Sequence, residues 1–274
     1  MLGVLTAYLL ILGIIQAYDV IPKLLPISES QIGLAQAGVT QNQDWQPVIR
    51  QFDGLDWVLV PAGCFQMGST ESQLEDALSA CKVYGGENCP FVFDLVEQPE
   101  SKVCFEKPYW ISATEVTNRE YGSSSSTDMT TMYRGPKWPR ETVTWHQAFD
   151  FCASVGSRLP TEKEWEYAAS GPDEWIYAWG NEVSPAYQSQ AGRLNPQNVD
   201  SIQADTSWVG AMGLSGNVAE WVADQNNEQS VARGGSWASY APFLLRTTQR
   251  IPYAPEYASS VIGFRCARDL VANR

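Results

Sequence analysis

The stretch Ala232-Arg233-Gly234-Gly235-Ser236-Trp237 decides the fold, together with Gly263-Phe264-Arg265-Cys266-Ala267-Arg268 further along the chain. Gly234 and Gly235 permit positive φ angles and a close approach of other backbone, while Trp237 supplies a large apolar surface. The same pairing pervades the sequence, which has 11 Trp and 12 Tyr beside 21 Gly and 16 Pro. This composition favours a loop-rich fold of short elements held by aromatic packing over a regular helical bundle.

Length and charge narrow the classes of protein. The 274 residues, 44% of them hydrophobic, can bury a core in one large domain or in one domain with an appendage. Eighteen Lys and Arg against 31 Asp and Glu give a formal net charge of -13. Such a surface repels a phosphate backbone, so nucleic acid is not an expected partner. It either keeps the protein soluble or collects divalent cations.

The amino-terminal segment from Leu2 to Tyr18 has no charged residue. It is slightly shorter than the roughly 20 apolar residues that span a bilayer, and it lacks the basic start of a secretory signal. We predict that residues 1–21 form a hydrophobic helix that anchors the protein in a membrane, with a cleaved signal as the alternative. Residues 22–50 contain Pro, Gly, Ser and Gln with little periodicity, which predicts a linker. Residues 51–270 are the predicted folded domain.

Local patterns within that domain predict a mixture of helices and strands. Short apolar runs bounded by turn residues predict strands, and amphipathic spacing behind a Ser or Thr cap predicts helices. In one predicted helix, Thr161 caps the start and Glu164 reaches back to the cap amide. The predicted strands are Trp57–Pro61, Cys64–Met67, Pro108–Ser112 and Glu115–Val116, and the predicted helices are Glu71–Val83, Thr144–Cys152 and Pro160–Ala169.

Six ordered motifs place the chain beside a known family. They are Val60-Pro61-Ala62-Gly63 through Met67-Gly68-Ser69, Thr114-Glu115-Val116-Thr117-Asn118, Arg158-Leu159-Pro160-Thr161-Glu162 with Glu164 to Ala169, Leu214-Ser215-Gly216-Asn217-Val218 with Glu220-Trp221, Arg233 to Trp237, and Gly263 to Cys266. With these motifs the chain resembles the formylglycine-generating enzyme family, also called sulfatase-modifying factors, over nearly all of residues 51–269. The resemblance implies a C-type-lectin-like α+β domain with little regular secondary structure.

The six cysteines suit an oxidising compartment, and their even number allows three disulfides. A zinc site lacks its usual ligands, because there is no CxxC pair and only one His. The resemblance implies that Cys152 is bridged to Cys266. Cys64 and Cys104, each followed by Phe on a predicted strand, are expected to be cross-strand partners, which leaves Cys81 with Cys89.

The resemblance also implies calcium. Calcium favours oxygen clusters, and the family's calcium loop maps onto Ser215, Gly216, Val218 and Glu220. The alternative for this loop is a plain turn with a satisfied acid. A second family site maps onto Asn198 and Val199, with Asp205 as a further candidate. We therefore predict structural calcium at these residues.

The chemistry of the family's enzymes is missing. Those enzymes use a cysteine pair shortly after Gly-Gly-Ser to bind copper and oxidise a sulfatase cysteine, because soft thiolates select Cu(I). Here residues 238–265 contain no cysteine, and Ser239 and Leu244 stand at the two positions. A related branch holds iron on three histidines, which a chain with one His cannot do. We expect no catalytic residue, no copper and no iron.

Binding is the remaining role for this scaffold. We predict a membrane-anchored, extracytoplasmic, non-catalytic domain that is an accessory subunit of a membrane complex or recognises an extracellular ligand; if the amino-terminal segment is cleaved, the protein is secreted. Aromatic and Arg side chains after the Gly-Gly-Ser motif give a large contact area, or else pack against the core. The predicted recognition residues are Trp237, Ser239, Tyr240, Phe243, Arg246, Arg250, Tyr253 and Tyr257. The alternatives are a sulfatase-maturing oxidoreductase with a rearranged site, and a spacer that serves assembly only.

Overall fold

A computed structural model of the chain describes residues 27–85, 100–122, 131–183, 192–226 and 228–270. The predicted anchor, residues 1–21, lies outside these ranges. No helix within the described ranges is long and apolar enough to cross a bilayer. The helices are α1 (Glu29–Ala37), α2 (Glu71–Gly85), α3 (Trp145–Ser154) and α4 (Glu162–Ser170), with short 3-10 helices at Asn42–Asp44 and Pro242–Leu245. The strands are β1 (Ile49–Phe52), β2 (Leu55–Val60), β3 (Gly63–Met67), β4 (Ser101–Phe105), β5 (Tyr109–Ser112), β6 (Ala219–Asn226), β7 (Gln229–Arg233), β8 (Arg250–Tyr253), β9 (Ile262–Phe264) and β10 (Ala267–Asp269).

These strands form three small sheets, so the predicted α+β class with short elements is confirmed. One sheet has the order β1-β2-β5-β10 and is antiparallel throughout. A second contains β3 and β4 alone. The third has the order β8-β7-β6-β9, in which β6 and β9 run parallel. The first sheet therefore joins the earliest described strand and the latest one.

The prediction that residues 22–50 are a linker is wrong for its described part. Ser28 caps α1, and the side chain of Gln31 returns a hydrogen bond to the Ser28 amide, which forms a capping box. Ala35 is fully buried, its carbonyl accepts from the Ala62 amide at 2.9 Å, and Trp45 is also buried. The apolar residues of this segment are few and widely spaced. The helical period is therefore weak in the sequence although the segment packs on the domain.

The predicted helices α3 and α4 begin as the sequence indicates. Thr144 and Thr161 each accept a hydrogen bond from the third helical amide, and Gln147 and Glu164 return one to the cap amide. Glu164 also pairs with Arg158 at 2.6 Å. The α4 helix places nearly all of its residues in the interior, so it is a central element of the core.

Three tryptophans anchor that core, and each satisfies its indole N–H. Trp57 donates to the Phe52 carbonyl at 3.0 Å, and Trp221 donates to the Val143 carbonyl at 3.0 Å. Trp165 donates to a carboxylate oxygen of Glu220 at 2.7 Å. All three rings are fully buried. Aromatic packing thus holds the loops together as the composition predicts.

Two disulfides are formed as predicted. Cys152 of α3 is bonded to Cys266, just before β10, and Cys64 of β3 is bonded to Cys104 of β4. Cys81 of α2 is also disulfide-bonded. Its predicted partner, Cys89, lies outside the described residues. The two described pairs tie α3 to the chain just before β10 and β3 to β4.

Gly234 has the positive φ angle that the sequence favours. At φ +76°, a Cβ would lie 2.7 Å from the Leu214 carbonyl oxygen, so no larger residue fits. In the motif around Gly216, by contrast, it is Asn217 that takes the left-handed conformation, with φ 61°. Asn tolerates this region better than most residues.

Candidate functional site

Three loops meet beside the Gly-Gly-Ser motif. The Gly192 amide donates to the Ser239 carbonyl at 2.6 Å, and the Arg193 amide donates to the Trp237 carbonyl at 2.7 Å. Tyr133 joins them from a third loop, with its ring edge-on to Trp237 at 5.8 Å. Backbone hydrogen bonds therefore fix the loop at 192–194 against the loop at 237–240.

The meeting point exposes several apolar and aromatic side chains. Leu194 is 89% exposed and Tyr240 55% exposed, which is unusual for such large apolar side chains. Tyr133 packs on Trp138 at 5.3 Å as well as on Trp237. We call this surface the platform: Tyr133, Trp138, Leu194, Trp237 and Tyr240. Sequence reasoning found Trp237 and Tyr240 and missed the other three, because nothing local links residues 133–138 or 194 to the motif.

Several predicted recognition residues lie elsewhere. Phe243 is buried and packs against α2, and Arg246 is buried and donates to the Ser69 hydroxyl and the Gln73 carbonyl. Arg250 is partly buried and is held by Glu162. These three side chains make contacts within the domain, so they do not face a partner in this conformation.

Tyr253 and Tyr257 form a separate aromatic pair. Their rings stack at 4.7 Å, and Tyr253 also contacts Trp221 edge-on. Tyr257 is 44% exposed. The pair is fixed to α3 through the Trp145 amide, which donates to the Pro255 carbonyl. It is thus an exposed aromatic patch separate from the platform, and α3 supports it.

The two positions that carry cysteines in the resembled enzymes have structural roles here. The Ser239 hydroxyl accepts a hydrogen bond from the Ser236 amide at 3.0 Å, and the Ser239 amide returns one to the Ser236 carbonyl at 2.9 Å. Leu244 lies in the Pro242–Leu245 helix and packs against the apolar cluster of α2. Neither side chain is a nucleophile paired with a base. The geometry therefore offers a turn and a packing contact in place of a thiol pair.

At the first predicted calcium site, Arg265 is paired with the carboxylate of Glu220. Glu220 is fully buried, and its two carboxylate oxygens accept from Arg265 at 2.6 and 2.7 Å. Trp165 donates to the same carboxylate. With a guanidinium against both oxygens, this carboxylate does not fit a calcium ligand set. Ser215, Gly216 and Val218 are buried in the loop that leads into β6, the strand on which Glu220 lies.

The residues of the second predicted calcium site, Asn198 and Val199, make hydrogen bonds within the protein. The Asn198 carbonyl accepts from the Ser201 amide and hydroxyl at 2.9 and 2.7 Å, as in a plain turn. Val199 is buried, with its amide on the Lys137 carbonyl. Within the described ranges, no three His, Cys, Asp or Glu side chains are arranged to hold a metal ion. Calcium binding stays a prediction.

Two further carboxyl groups, those of Asp205 and Glu115, lie close to Arg265. Of the two, only Asp205 was predicted from the sequence as a candidate site residue. Asp205 accepts from the Ser215 amide at 3.2 Å, and Glu115 accepts from the Asn217 side chain at 3.0 Å. Both are fully buried. Burial, reinforced by the charge of Glu220, raises the pKa of Glu115 to about 8. Burial likewise raises the pKa of Asp205 to about 7, although the Ser215 amide and Arg265 oppose the shift.

The chain matches known proteins over most of the described fold. Residues 42–270 match the family described as the sulfatase-modifying factor enzyme 1-like domain. The bovine inactive C-alpha-formylglycine-generating enzyme 2 is 35% identical over 154 residues, which are 48% of this chain and 50% of the relative. The bovine formylglycine-generating enzyme is 27% identical over 219 residues, covering 65% of this chain and 57% of the relative. The chain thus spans about half the length of the curated relatives it matches.

A solved structure supports the fold. PvdO from Pseudomonas aeruginosa superposes with a TM-score of 0.57 at 23% identity and covers 82% of this chain and 100% of its own. At that identity the likeness concerns the fold alone. The family match carries more, because it spans the motifs at 158–169, 214–221 and 233–237 and both cysteines of the Cys152–Cys266 bridge. The chain therefore belongs to the sulfatase-modifying factor family, whose members include formylglycine-generating enzymes and their inactive relatives.

Proposed function

We propose that this chain is a catalytically silent member of the family that works by binding a protein partner through the platform. One observation carries the proposal: Ser239 and Leu244, at the positions of the catalytic cysteines, are used to close a turn and to pack against α2. A matched relative that is itself described as inactive is consistent with this proposal.

The chemistry of the platform suits a particular kind of partner. Large aromatic rings and an exposed Leu form a contact surface that is rigid, because its loops are joined by backbone hydrogen bonds. Tyr and Trp anchors of this kind dominate the binding energy at protein interfaces. These side chains favour a partner whose contact surface is apolar.

The sequence and the bridges support a proposal for the location of the domain. We propose that the uncharged segment from Leu2 to Tyr18 anchors the domain on the extracytoplasmic side of a membrane, as an accessory subunit of a membrane complex. Disulfides persist in oxidising compartments, and Cys64–Cys104 and Cys152–Cys266 are formed. Fractionation of the full chain with membranes, and its release by detergent but not by salt or alkaline carbonate, tests the anchor.

The absence of oxidase activity is tested directly. Copper-treated protein is incubated with a Cys-containing sulfatase peptide, and the aldehyde product is measured by mass spectrometry beside an active formylglycine-generating enzyme. We expect no aldehyde from this chain. Aldehyde formation that Ser239→Ala abolishes would show that the site is rearranged and active, which overturns the proposal.

Partner binding is tested on the two most exposed platform residues. The full chain is purified from detergent-solubilised membranes, and co-purifying subunits are quantified for the wild type, Leu194→Ala and Tyr240→Ala. Loss of such an anchor at an interface costs about 2 kcal/mol or more, so we expect recovery of the partner to fall at least about tenfold. Phe149→Ala, at an exposed ring of α3 outside the platform, is the matched control. Recovery of the wild type as a lone monomer would contradict the subunit role.

A further inference from the structure

The two disulfides described above differ in their access to solvent. Cys152 and Cys266 are both fully buried. Cys64 and Cys104 are both exposed and lie directly opposite each other on β3 and β4. The rate of thiol–disulfide exchange depends on access of the attacking thiolate to a sulfur atom. Only the β3–β4 bridge offers that access.

The strand β4 is weakly held apart from this bridge. Among the residues that the structure describes, it pairs only with β3, in a sheet of two strands, and an isolated two-stranded ribbon is marginally stable at best. Ser101 and Lys102, at the start of β4, are exposed, whereas Phe105 at its end packs on Tyr109 and Tyr167. The first half of β4 therefore depends on the covalent tie.

The bridge also closes a loop that contains α2. The two cysteines are 40 residues apart. Within that loop, Ala77 and Cys81 of α2 pack against Ala241 and Phe243, beside the platform residue Tyr240. Arg246 adds hydrogen bonds to the Ser69 hydroxyl at 2.8 Å and the Gln73 carbonyl at 3.1 Å. The bridge thus restrains the helix that supports one edge of the platform.

We propose that Cys64–Cys104 is a thiol-exchange site, opened by a dithiol reductant while Cys152–Cys266 stays closed, and that its opening loosens β4 and α2. A thiolate of the reductant attacks one sulfur of the bridge, the S–S bond breaks, and the released cysteine thiolate takes a proton. The second thiol of the reductant then attacks the mixed disulfide, frees the other cysteine and leaves as a disulfide. Two electrons pass from the dithiol to the protein. The exchange itself is independent of the proposed function; only an effect on partner binding rests on it.

Selective reduction of the native full chain tests the exchange. The protein is treated with dithiothreitol for increasing times, quenched with iodoacetamide and mapped by mass spectrometry. We expect Cys64 and Cys104 to be alkylated together, at least about tenfold faster than Cys152 and Cys266, because only the first pair is accessible. In denaturant the rates should converge, which shows that the fold provides the protection. Equal rates in the native protein, or earlier reaction of the buried pair, would overturn the proposal.

Hydrogen exchange tests the consequence. After selective reduction we expect faster amide exchange in residues 69–83 and 101–105, with no change in α4. The double variant Cys64→Ser with Cys104→Ser should show the same pattern without reductant and no further response to it. If the selectively reduced wild type keeps its original exchange pattern, the bridge does not restrain α2 and that part of the proposal is wrong. Partner recovery on the reduced protein is then compared separately, so that a failure of the platform and a failure of the exchange are distinguishable.

Discussion

Two buried arginines organise this domain, and their surroundings differ in charge balance. Arg233 contacts Glu166 and Glu162, and Glu162 is held in turn by Arg250 at 2.9 Å. Two guanidinium groups therefore face two glutamates, and Asp224 lies beside them as a third acid, with its carboxylate accepting a hydrogen bond from the Glu162 amide. Arg265 contacts Glu220 alone among the acids, while Asp205 and Glu115 lie close by, and Glu115 has one buried oxygen without a hydrogen bond. There one cation faces three carboxyl groups.

The difference appears in the direction of the pKa shifts. Burial raises the pKa of Glu162, but Arg250 and Arg233 outweigh it, so its pKa is lowered. At the Arg265 cluster the one cation does not suffice, and the pKa values of Glu115 and Asp205 rise to about 8 and about 7. Burial also raises the pKa of Glu166, although its contact with Arg233 opposes the shift, so the contrast is between Glu162 on one side and Glu115 and Asp205 on the other.

Removal of the central cation should have the largest effect. Arg265→Met leaves Glu220 without its partner beside two further acids, so we expect a loss of about 3–5 kcal/mol in the free energy of unfolding. Urea denaturation measures it. Arg268→Met is the control, because Arg268 pairs with Asp53 at the surface and should cost about 1 kcal/mol or less. Equal losses in the two variants would show that Arg265 does not compensate the cluster.

Charge removal at Glu115 should change the pH dependence. Its raised pKa means that the folded state binds more protons than the unfolded state between pH 4.5 and about 8, so stability falls as pH rises through that window. Each pKa unit is worth about 1.4 kcal/mol. We therefore expect Glu115→Gln to flatten this fall and to be more stable than the wild type by about 2–4 kcal/mol at pH 8. Urea midpoints across pH 4–9 measure it.

The matched variant in the Arg233 cluster should respond in the opposite direction. Glu162 has a lowered pKa in the folded state, so its contribution is present above about pH 4.5, its ordinary value, and is lost as pH falls. Glu162→Gln should therefore be destabilised at pH 7. A gain in stability for Glu162→Gln, or a loss for Glu115→Gln at pH 8, would refute the contrast between the clusters.

The outer arginine of the Arg233 cluster should matter less than the buried ones. Arg250→Met removes two hydrogen bonds to Glu162, at 2.9 and 3.0 Å, but leaves the contact with Arg233 at 3.3 Å. We expect a loss of about 1–2 kcal/mol in total, which is less than two separate charged hydrogen bonds would contribute, because Glu162 keeps its contact with Arg233 and Arg250 is partly exposed to solvent. Thermal denaturation at pH 7 measures it. A loss as large as that of Arg265→Met would mean that Glu162 depends on Arg250 alone.

Calcium should have the smallest effect. Because Arg265 already occupies the carboxylate of Glu220, we expect the melting temperature to shift by no more than about 1 °C when calcium replaces chelator, with magnesium in parallel. Calcium at a free concentration of 100 times the Kd of its site adds about 2.7 kcal/mol to the free energy of unfolding. For a domain of this size, that raises the melting temperature by several degrees. A shift of that size would show that the loop rearranges to bind calcium, as the family resemblance predicts.

Local signals accounted for what the sequence predicted well. The caps at Thr144 and Thr161 and the strands β2, β3 and β5 all depend on residues close in sequence. The family resemblance supplied the Cys152–Cys266 bridge. These features need no knowledge of distant contacts.

The remaining features join residues that are far apart in sequence. Glu115 meets Asn217 across 102 positions, and the Tyr133 hydroxyl donates to the Leu194 carbonyl across 61. No periodicity or cap marks such contacts in advance. Arg246 was predicted to be a recognition residue for the same reason, because its partners Ser69 and Gln73, just before and within α2, are far away in sequence. Tertiary packing, which the sequence pattern does not record, decides these positions.

The sheet that contains both β1 and β10 has a practical consequence. With the order β1-β2-β5-β10 and strands about 4.8 Å apart, the two outer strands lie roughly 14 Å from each other, and the guanidinium of Arg268 lies over the Phe52 ring of β1. A fold entered and left at neighbouring points can be spliced into a surface turn of a host protein with short spacers. A graft of this kind must also carry residues 27–48, because Ala35, Trp45 and Val48 are buried in the core of the domain.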